Sequence, residues 1–122
     1  MYDHIGIKVK DLETSKRFYT ATMKALGHEL CCSDDNSAGL GPKDSPSLWL
    51  YRAGKSPSLG SHVAFRAPDR AAVDRFHQEG LKHGGSDNGK PGVRADYSPK
   101  YYAAFVVDPD GYRIEAYCGA AE

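Results

Sequence analysis

Three side chains of this chain could bind one metal ion together: His4, His62 and Glu115. The two histidines lie 58 positions apart, and the same offset aligns three further identical pairs: Asp11 with Asp69, Arg17 with Arg75 and Phe18 with Phe76. These four identities fall within residues 4–18, where ordinary residue usage gives about one by chance. The chain therefore contains an internal repeat, and its two equivalent histidines could converge near a pseudo-symmetry axis.

Glu115 is the candidate carboxylate ligand because it lies in an otherwise apolar predicted strand. A carboxylate that is buried alone is costly, so this side chain needs a partner. Two imidazoles and one carboxylate form a facial triad that leaves the other metal positions to water or substrate. The alternatives are an ion pair of Glu115 with Arg113 or Arg66 and purely structural roles for the two histidines.

The first copy of the repeat predicts the elements that would carry His4. Apolar residues alternate over 3–9, which predicts a strand with His4 on its polar face. Helical spacing predicts a helix over about 12–26, and Gly27 ends it. Shorter strands are predicted at 29–32 and 47–51, with at most one more near 37–41.

The second copy repeats this order around His62. A strand is predicted over 61–67, and a helix from Asp69 to about Leu81 is predicted to face the core with Val73, Phe76 and Leu81. Two strands follow at 101–107 and 112–118, joined by an Asp-Pro-Asp-Gly turn at 108–111. Each half is therefore interpreted as a β-α-β-β-β module.

Two stretches of the chain carry turn-forming residues instead of periodic ones. Residues 52–60 are rich in Gly, Ser and Pro and form the predicted joint between modules at about 1–52 and 60–122. Residues 84–99 are Gly-rich and are predicted to form an irregular loop near the site. His77 is expected to be solvated.

Length and composition limit the class of protein. The 122 residues fit one domain. Sixteen basic and sixteen acidic residues cancel, so we expect no nucleic-acid partner. We also expect no membrane partner, because no apolar run could span a bilayer and no signal peptide is evident. Three cysteines, with Cys31 and Cys32 adjacent, favour the reducing cytoplasm over a disulfide framework.

Three segments in order resemble the motifs of the vicinal oxygen chelate superfamily. Residues 3–9, together with Ser15 and Phe18-Tyr19, are similar to the start of its first module. Residues 62–65 resemble its second-module strand, and residues 104–115 resemble its most recognisable motif. The superfamily includes glyoxalase I, the fosfomycin and bleomycin resistance proteins and the extradiol dioxygenases.

This resemblance implies an α+β fold in which two βαβββ modules form a curled, mostly antiparallel eight-stranded sheet around a central cavity. It implies that His4, His62 and Glu115 bind one divalent metal ion, which could be Fe, Mn, Zn, Ni or Co. The metal would chelate two neighbouring oxygens of a small substrate and stabilise the charge that develops there. Family members place two chains around their sites, so we expect a homodimer.

One departure from the family pattern affects the expected reaction. Glyoxalase I usually has a fourth, acidic ligand on the last strand of its first module, and alignment on Tyr51 and Tyr117 puts Trp49 at that place. Tryptophan cannot bind a metal, so the triad resembles the dioxygenase and fosfomycin-resistance pattern more closely. A dioxygenase would also need a base and a tyrosine. Tyr97, Tyr101 and Tyr102 are candidates for the tyrosine.

The sequence thus predicts a metal-dependent lyase, isomerase or dioxygenase that acts on a small oxygenated molecule. Glu115 and Tyr102 are the predicted catalytic residues. The predicted substrate-binding residues are Trp49, Tyr97, Tyr101 and Arg66. The alternatives are a resistance-type protein that binds a small molecule without metal and a scaffold whose triad no longer holds metal.

Overall fold

Each half of the chain folds as a strand, a helix and three further strands. The structure, a computed structural model, describes residues 2–53 and 61–119, so most of the predicted joint lies outside the described residues. The first module contains β1 (Ile5–Val9), α1 (Leu12–Ala25), β2 (Glu29–Ser33), β3 (Ser37–Gly41) and β4 (Leu48–Arg52). The second contains β5 (His62–Arg66), α2 (Arg70–Lys82), β6 (Ser86–Val93), β7 (Tyr102–Val107) and β8 (Arg113–Cys118).

The strands form two four-stranded sheets, in the orders β1-β4-β3-β2 and β5-β8-β7-β6. In each sheet the first and last strands of the module pair in parallel, and the other pairs are antiparallel. The predicted α+β fold of two βαβββ modules is confirmed, with the eight strands divided between two sheets. Within the described residues, no helix has the length and apolar character needed to cross a bilayer.

The repeat-equivalent residues Asp11 and Asp69 begin the two helices. The Asp11 carboxylate accepts a hydrogen bond from the backbone N–H of Thr14 at 3.2 Å, and the Asp69 carboxylate accepts one from Ala72 at 2.8 Å. Such an N-cap satisfies an amide that has no partner within the helix, and it typically stabilises by about 1 kcal/mol. This capping role explains why aspartate occupies both positions of the repeat.

The two modules share one hydrophobic core. Each helix packs on three strands of its own module, and α1 also contacts α2. Phe18 and Phe76, another repeat-equivalent pair, are both fully buried in this core. Because the helices lie on one side of each sheet, the opposite sheet faces remain free to carry functional side chains.

The β7–β8 turn binds the second module to the first. Oδ2 of Asp108 accepts a hydrogen bond from the Tyr19 hydroxyl at 2.5 Å. The Asp110 carboxylate accepts bonds from the Lys10 amide at 2.8 Å and the Ser15 hydroxyl at 3.0 Å. Burial raises the pKa of both Asp108 and Tyr19. The predicted turn therefore has a structural role between modules.

Residues 84–99 require a correction, because the predicted irregular loop contains the eight-residue strand β6. This strand pairs with β7 through register shifts between Asp87 and Gly89 and between Gly89 and Gly92. Bulges of this kind interrupt the two-residue alternation of a strand. Polar residues and glycines fill β6, so no apolar periodicity marks it in the sequence.

The C-terminal half of α2 also differs from the prediction. Val73 and Phe76 are buried as expected, but Leu81 is 42% exposed. His77 is buried instead of solvated, and its Nε2 lies 2.8 Å from the Asp87 carboxylate. The helical stripe that includes Val73 and Phe76 continues through His77, whereas Leu81 lies outside it.

Candidate metal and substrate site

Glu115 is a buried carboxylate with two hydrogen-bond partners. Only 3% of the residue is exposed. Its Oε1 lies 2.7 Å from Nε2 of His62, and its Oε2 accepts a hydrogen bond from the Tyr101 hydroxyl. Both carboxylate oxygens are therefore occupied, by His62 and Tyr101 instead of by Arg113 or Arg66, the alternative that the sequence left open.

The register of the second sheet explains why these groups meet. The parallel pairing of β5 with β8 places Ala64 opposite Glu115, and β7 places Phe105 opposite it on the other side. His62 lies two residues before Ala64, so strand alternation puts it on the same face as the carboxylate. The small Ala64 side chain leaves room for the imidazole to reach Glu115 diagonally.

Tyr101 holds the second oxygen of the carboxylate. Burial is the main cause that raises the pKa of its hydroxyl, and the hydrogen bond to Glu115 adds to the increase. The phenol therefore remains protonated at neutral pH and acts as a hydrogen-bond donor to a carboxylate. A donor to a metal-binding carboxylate typically fixes the ligand's orientation.

Aromatic rings surround this hydrogen bond. The Tyr101 ring packs against Tyr117 with centroids 4.3 Å apart and against Tyr97 with centroids 4.9 Å apart. Phe105 lies 6.2 Å from the His62 ring. Tyr97 is 66% exposed, so part of this aromatic cluster is open to solvent.

Tyr102 lies on the other face of β7 and does not meet Glu115. Its hydroxyl donates to the Asp74 carboxylate at 2.6 Å, and the Arg70 guanidinium lies 4.9 Å from its ring centroid. The predicted catalytic role of Tyr102 gains no support from this placement. Strand alternation from Phe105 puts Tyr101 on the face that carries Glu115. Tyr101 could be identified in this way only once the pairing of Phe105 with Glu115 was known.

His4 is the predicted ligand that the single chain leaves apart from the other two. Its side chain is 57% exposed, and Nδ1 lies 2.8 Å from the Asp3 carboxylate. Within residues 2–53 and 61–119, no three His, Cys, Asp or Glu side chains are close enough to hold a metal ion. The described chain thus brings together two of the three predicted ligands, His62 and Glu115.

Trp49 occupies the position in the first module that Glu115 occupies in the second. Trp49 pairs with Gly6 on β1, whereas Glu115 pairs with Ala64 on β5. Gly6 and Ala64 are separated by the repeat offset of 58. The strand register therefore confirms the sequence alignment of Trp49 with Glu115. Arg66, the other predicted substrate-binding residue, is exposed at the end of β5.

The pair formed by His62 and Glu115 fits a divalent metal ion. Two ligands that bind one metal at about 2.0–2.2 Å and at right angles have donor atoms roughly 3 Å apart. The 2.7 Å separation of Nε2 and Oε1 is close to that spacing. Imidazole and carboxylate together suit Fe, Mn, Zn, Ni and Co, so the residues do not select among them.

Known proteins resemble this chain over nearly its full length. A family model described as the glyoxalase/bleomycin resistance protein/dioxygenase superfamily matches residues 2–116. A glyoxalase/bleomycin resistance protein from Albidiferax ferrireducens is 28% identical, with a TM-score of 0.82, and the match covers 96% of this chain and 97% of that protein. A comparison with curated sequences gave no significant match.

Two more distant structures share the fold. A glyoxalase/bleomycin resistance protein/dioxygenase family enzyme from Burkholderia phytofirmans is 14% identical, with a TM-score of 0.74 and coverage of 97% of this chain and 98% of that one. A glyoxalase I mutant from Zea mays is 24% identical, with a TM-score of 0.73, over 95% of this chain but 46% of that one. From the family match and the two βαβββ modules, we conclude that the chain belongs to the glyoxalase/bleomycin resistance protein/dioxygenase superfamily.

Proposed function

We propose that the protein is a metal-dependent enzyme that binds two neighbouring oxygens of a small substrate at His4, His62 and Glu115. One observation carries this proposal: a buried carboxylate lies 2.7 Å from a histidine whose side chain is 49% exposed. The carboxylate is fixed by the core, while the imidazole opens to solvent. This arrangement is suited to a ligand pair that a substrate can approach.

A second copy of the chain supplies His4 in this proposal. Within one chain His4 does not join His62 and Glu115. His4 and Gly6 on the first sheet are exposed, and so are His62 and Ala64 on the second. Two copies in a symmetric homodimer could bring the first sheet of one chain over the second sheet of the other and cover both faces.

When bound, the metal would act as a Lewis acid toward the chelated oxygens and as a template for their orientation. Tyr101 donates to Oε2 of Glu115, so Oε1, which lies 2.7 Å from Nε2 of His62, is the oxygen that would face the metal. The neighbouring aromatic rings limit access of water to the carboxylate. Arg66 is exposed on the same face as His62 and would attract an anionic substrate group.

Metal analysis of protein purified without chelator tests this function. We expect about one divalent metal per chain in the wild type and loss of most of it in His62→Ala. His28→Ala serves as the matched control, because His28 follows α1 and lies outside the site. Equal metal content in His62→Ala and the wild type would refute the assignment.

The second candidate function is a resistance-type protein that binds a small molecule without metal. The exposed Tyr97 ring, which packs against the half-buried Tyr101, favours it, because an exposed aromatic ring can bind a ligand by surface contact without a metal. Ligand binding that persists undiminished after chelation of all metal would favour this candidate. Cys31 and Cys32 have free thiols, which is consistent with action in the cytoplasm in either case.

A further inference from the structure

Trp49 and Tyr51 form a pair of nearly parallel rings on the face of the first sheet, which we name the aromatic pair. Their planes differ by 14° and their centroids lie 6.4 Å apart. Both side chains come from β4 two residues apart, so they share one face of the sheet. Tyr51 is 43% exposed and Trp49 is half-buried, so the pair is open to solvent.

Two glycines allow these rings to lie against the backbone. A Cβ at Gly39 would come within 2.9 Å of two atoms of the Trp49 ring, and a Cβ at Gly6 would come within 2.8 Å of a Tyr51 ring carbon. Real Cβ atoms essentially never approach so closely. Any larger residue at either place would force the ring above it to shift. The sequence thus keeps the space beneath both rings clear.

The aromatic pair lies beside His4, the metal ligand that the proposed function assigns to the first module. Gly6 is two residues from His4 along the chain and pairs with Trp49. At a rise of about 3.3 Å per residue, the Cα of His4 is roughly 7 Å from that of Gly6. A substrate that is bound near His4 would therefore lie over the aromatic pair. In the repeat, Trp49 takes the place of Glu115, whereas Tyr51 corresponds to Tyr117.

We propose that the substrate has a planar aromatic or conjugated ring, which stacks on the aromatic pair while its two neighbouring oxygens face the metal ligands. The position of the oxygens rests on the proposed function, whereas the preference for a flat ring rests on the aromatic pair alone. Tyr97, which is 66% exposed and packs against Tyr101, supplies a second aromatic surface near the carboxylate.

Trp49 makes this proposal directly measurable, because it is the only tryptophan in the chain. The dissociation constants of four small probe molecules are measured by the change in Trp49 fluorescence and checked by calorimetry. Phenol and cyclohexanol are compared on metal-free protein, and catechol and cis-1,2-cyclohexanediol on protein loaded with divalent metal. Within each pair, ring size and oxygen number match, but only one ring is flat. We expect the flat member to bind roughly fivefold more tightly or better.

Two variants test whether the aromatic pair causes the preference for a flat ring. Gly39→Ala should move the Trp49 ring and abolish the preference for phenol over cyclohexanol, and Tyr51→Leu should reduce it. Gly92→Ala on β6 is the control, because its added Cβ meets only the end of the Arg94 side chain. Retained melting temperatures would show that each variant is folded.

The outcomes separate this inference from the proposed function. Equal binding of flat and saturated probes by the wild type overturns the inference, as does a preference that both Gly39→Ala and Tyr51→Leu retain in full. Metal content is measured in the same samples. Protein that binds metal but shows no ring preference refutes the inference alone. Protein that binds no metal but prefers phenol refutes the proposed function and supports the aromatic pair.

Discussion

Tyr101 donates a hydrogen bond to Oε2 of Glu115, the carboxylate whose other oxygen lies 2.7 Å from His62. Tyr101 lies immediately before β7, and Glu115 lies within the neighbouring strand β8 of the second sheet. The tyrosine therefore decides which carboxylate oxygen faces the imidazole. In a metal site this is the role of an orienting residue.

Tyr101→Phe should weaken metal binding by about 10–100-fold, because it removes the donor that orients Glu115. Calorimetric titration of metal-free protein measures this change. Tyr102→Phe is the matched control, since it removes a hydroxyl that contacts Asp74 on the other face of β7. Equal losses in the two variants, or no loss in Tyr101→Phe, would show that the hydrogen bond does not orient a ligand.

Mixed variants test whether the site is shared between two chains. A mixture of His4→Ala and Glu115→Ala protein should recover about a quarter of the native metal sites, because random pairing puts both intact ligands at one site of each mixed dimer. A mixture of His62→Ala with Glu115→Ala should recover none, since both residues lie on the second module. Absence of recovery in the first mixture would mean that each chain builds its own site. A species of about 13 kDa alone in sedimentation would contradict the dimer.

The protein should isomerise the methylglyoxal–glutathione adduct poorly, because Trp49 occupies the place of the acidic fourth ligand of glyoxalase I. The rate is measured with the protein loaded separately with each candidate metal. Turnover near the roughly ten per second that is typical of enzymes would contradict this expectation. Oxygen uptake with catechols, measured on the same samples, reports dioxygenase activity.

Asp87 should make the free energy of unfolding depend on pH in the acidic range. The hydrogen bond with His77 is the main cause that lowers the pKa of Asp87, and a bond from the Gly89 amide adds to it. A lowered folded-state pKa stabilises the protein above the unfolded value of about 3.9, and this stabilisation is lost as the pH falls through the folded value. Asp87→Asn should therefore be less stable than wild type above about pH 4, and the difference should shrink in stronger acid.

Urea denaturation over a pH series measures this difference, with Asp96→Asn as the control for loss of an exposed carboxylate. A gap between Asp87→Asn and the wild type that stays constant down to the lowest pH would exclude titration of Asp87 as its cause. A gap of the same size and pH dependence in Asp96→Asn would assign the effect to net charge.

The sequence predicted most of the fold, and the structure brings together two of the three predicted metal ligands, His62 and Glu115. The sequence predicted that His62 and Glu115 would meet, and it aligned Trp49 with Glu115; the strand register agrees with both. The sequence assigned the catalytic role to Tyr102, whereas Tyr101 is the tyrosine that contacts Glu115. The choice between them depends on how β7 aligns with β8, which composition does not show. The separation of His4 depends on how the two sheets are oriented, which no local pattern encodes.

The strand β6 escaped prediction for a different reason. Its glycines and polar residues pair with β7 across two irregular steps, so backbone hydrogen bonds define the strand and side chains do not. Sequence analysis detects a strand by the regular alternation of apolar and polar side chains, which β6 lacks. His77 was misjudged for the related reason that its partner Asp87 lies on this unpredicted strand.

The β7–β8 turn has a consequence for exchanging parts between relatives. Asp108 and Asp110 contact Tyr19, Ser15 and the Lys10 amide of the other module. A chimera that replaces only the second half of this chain would need a turn with acceptors for the Ser15 and Tyr19 hydroxyls of α1. Without such a turn, the buried Tyr19 hydroxyl would lose its hydrogen-bond acceptor. The two modules share a repeat and a common strand order, but at this contact they are not interchangeable, and grafts should carry α1 and the turn together.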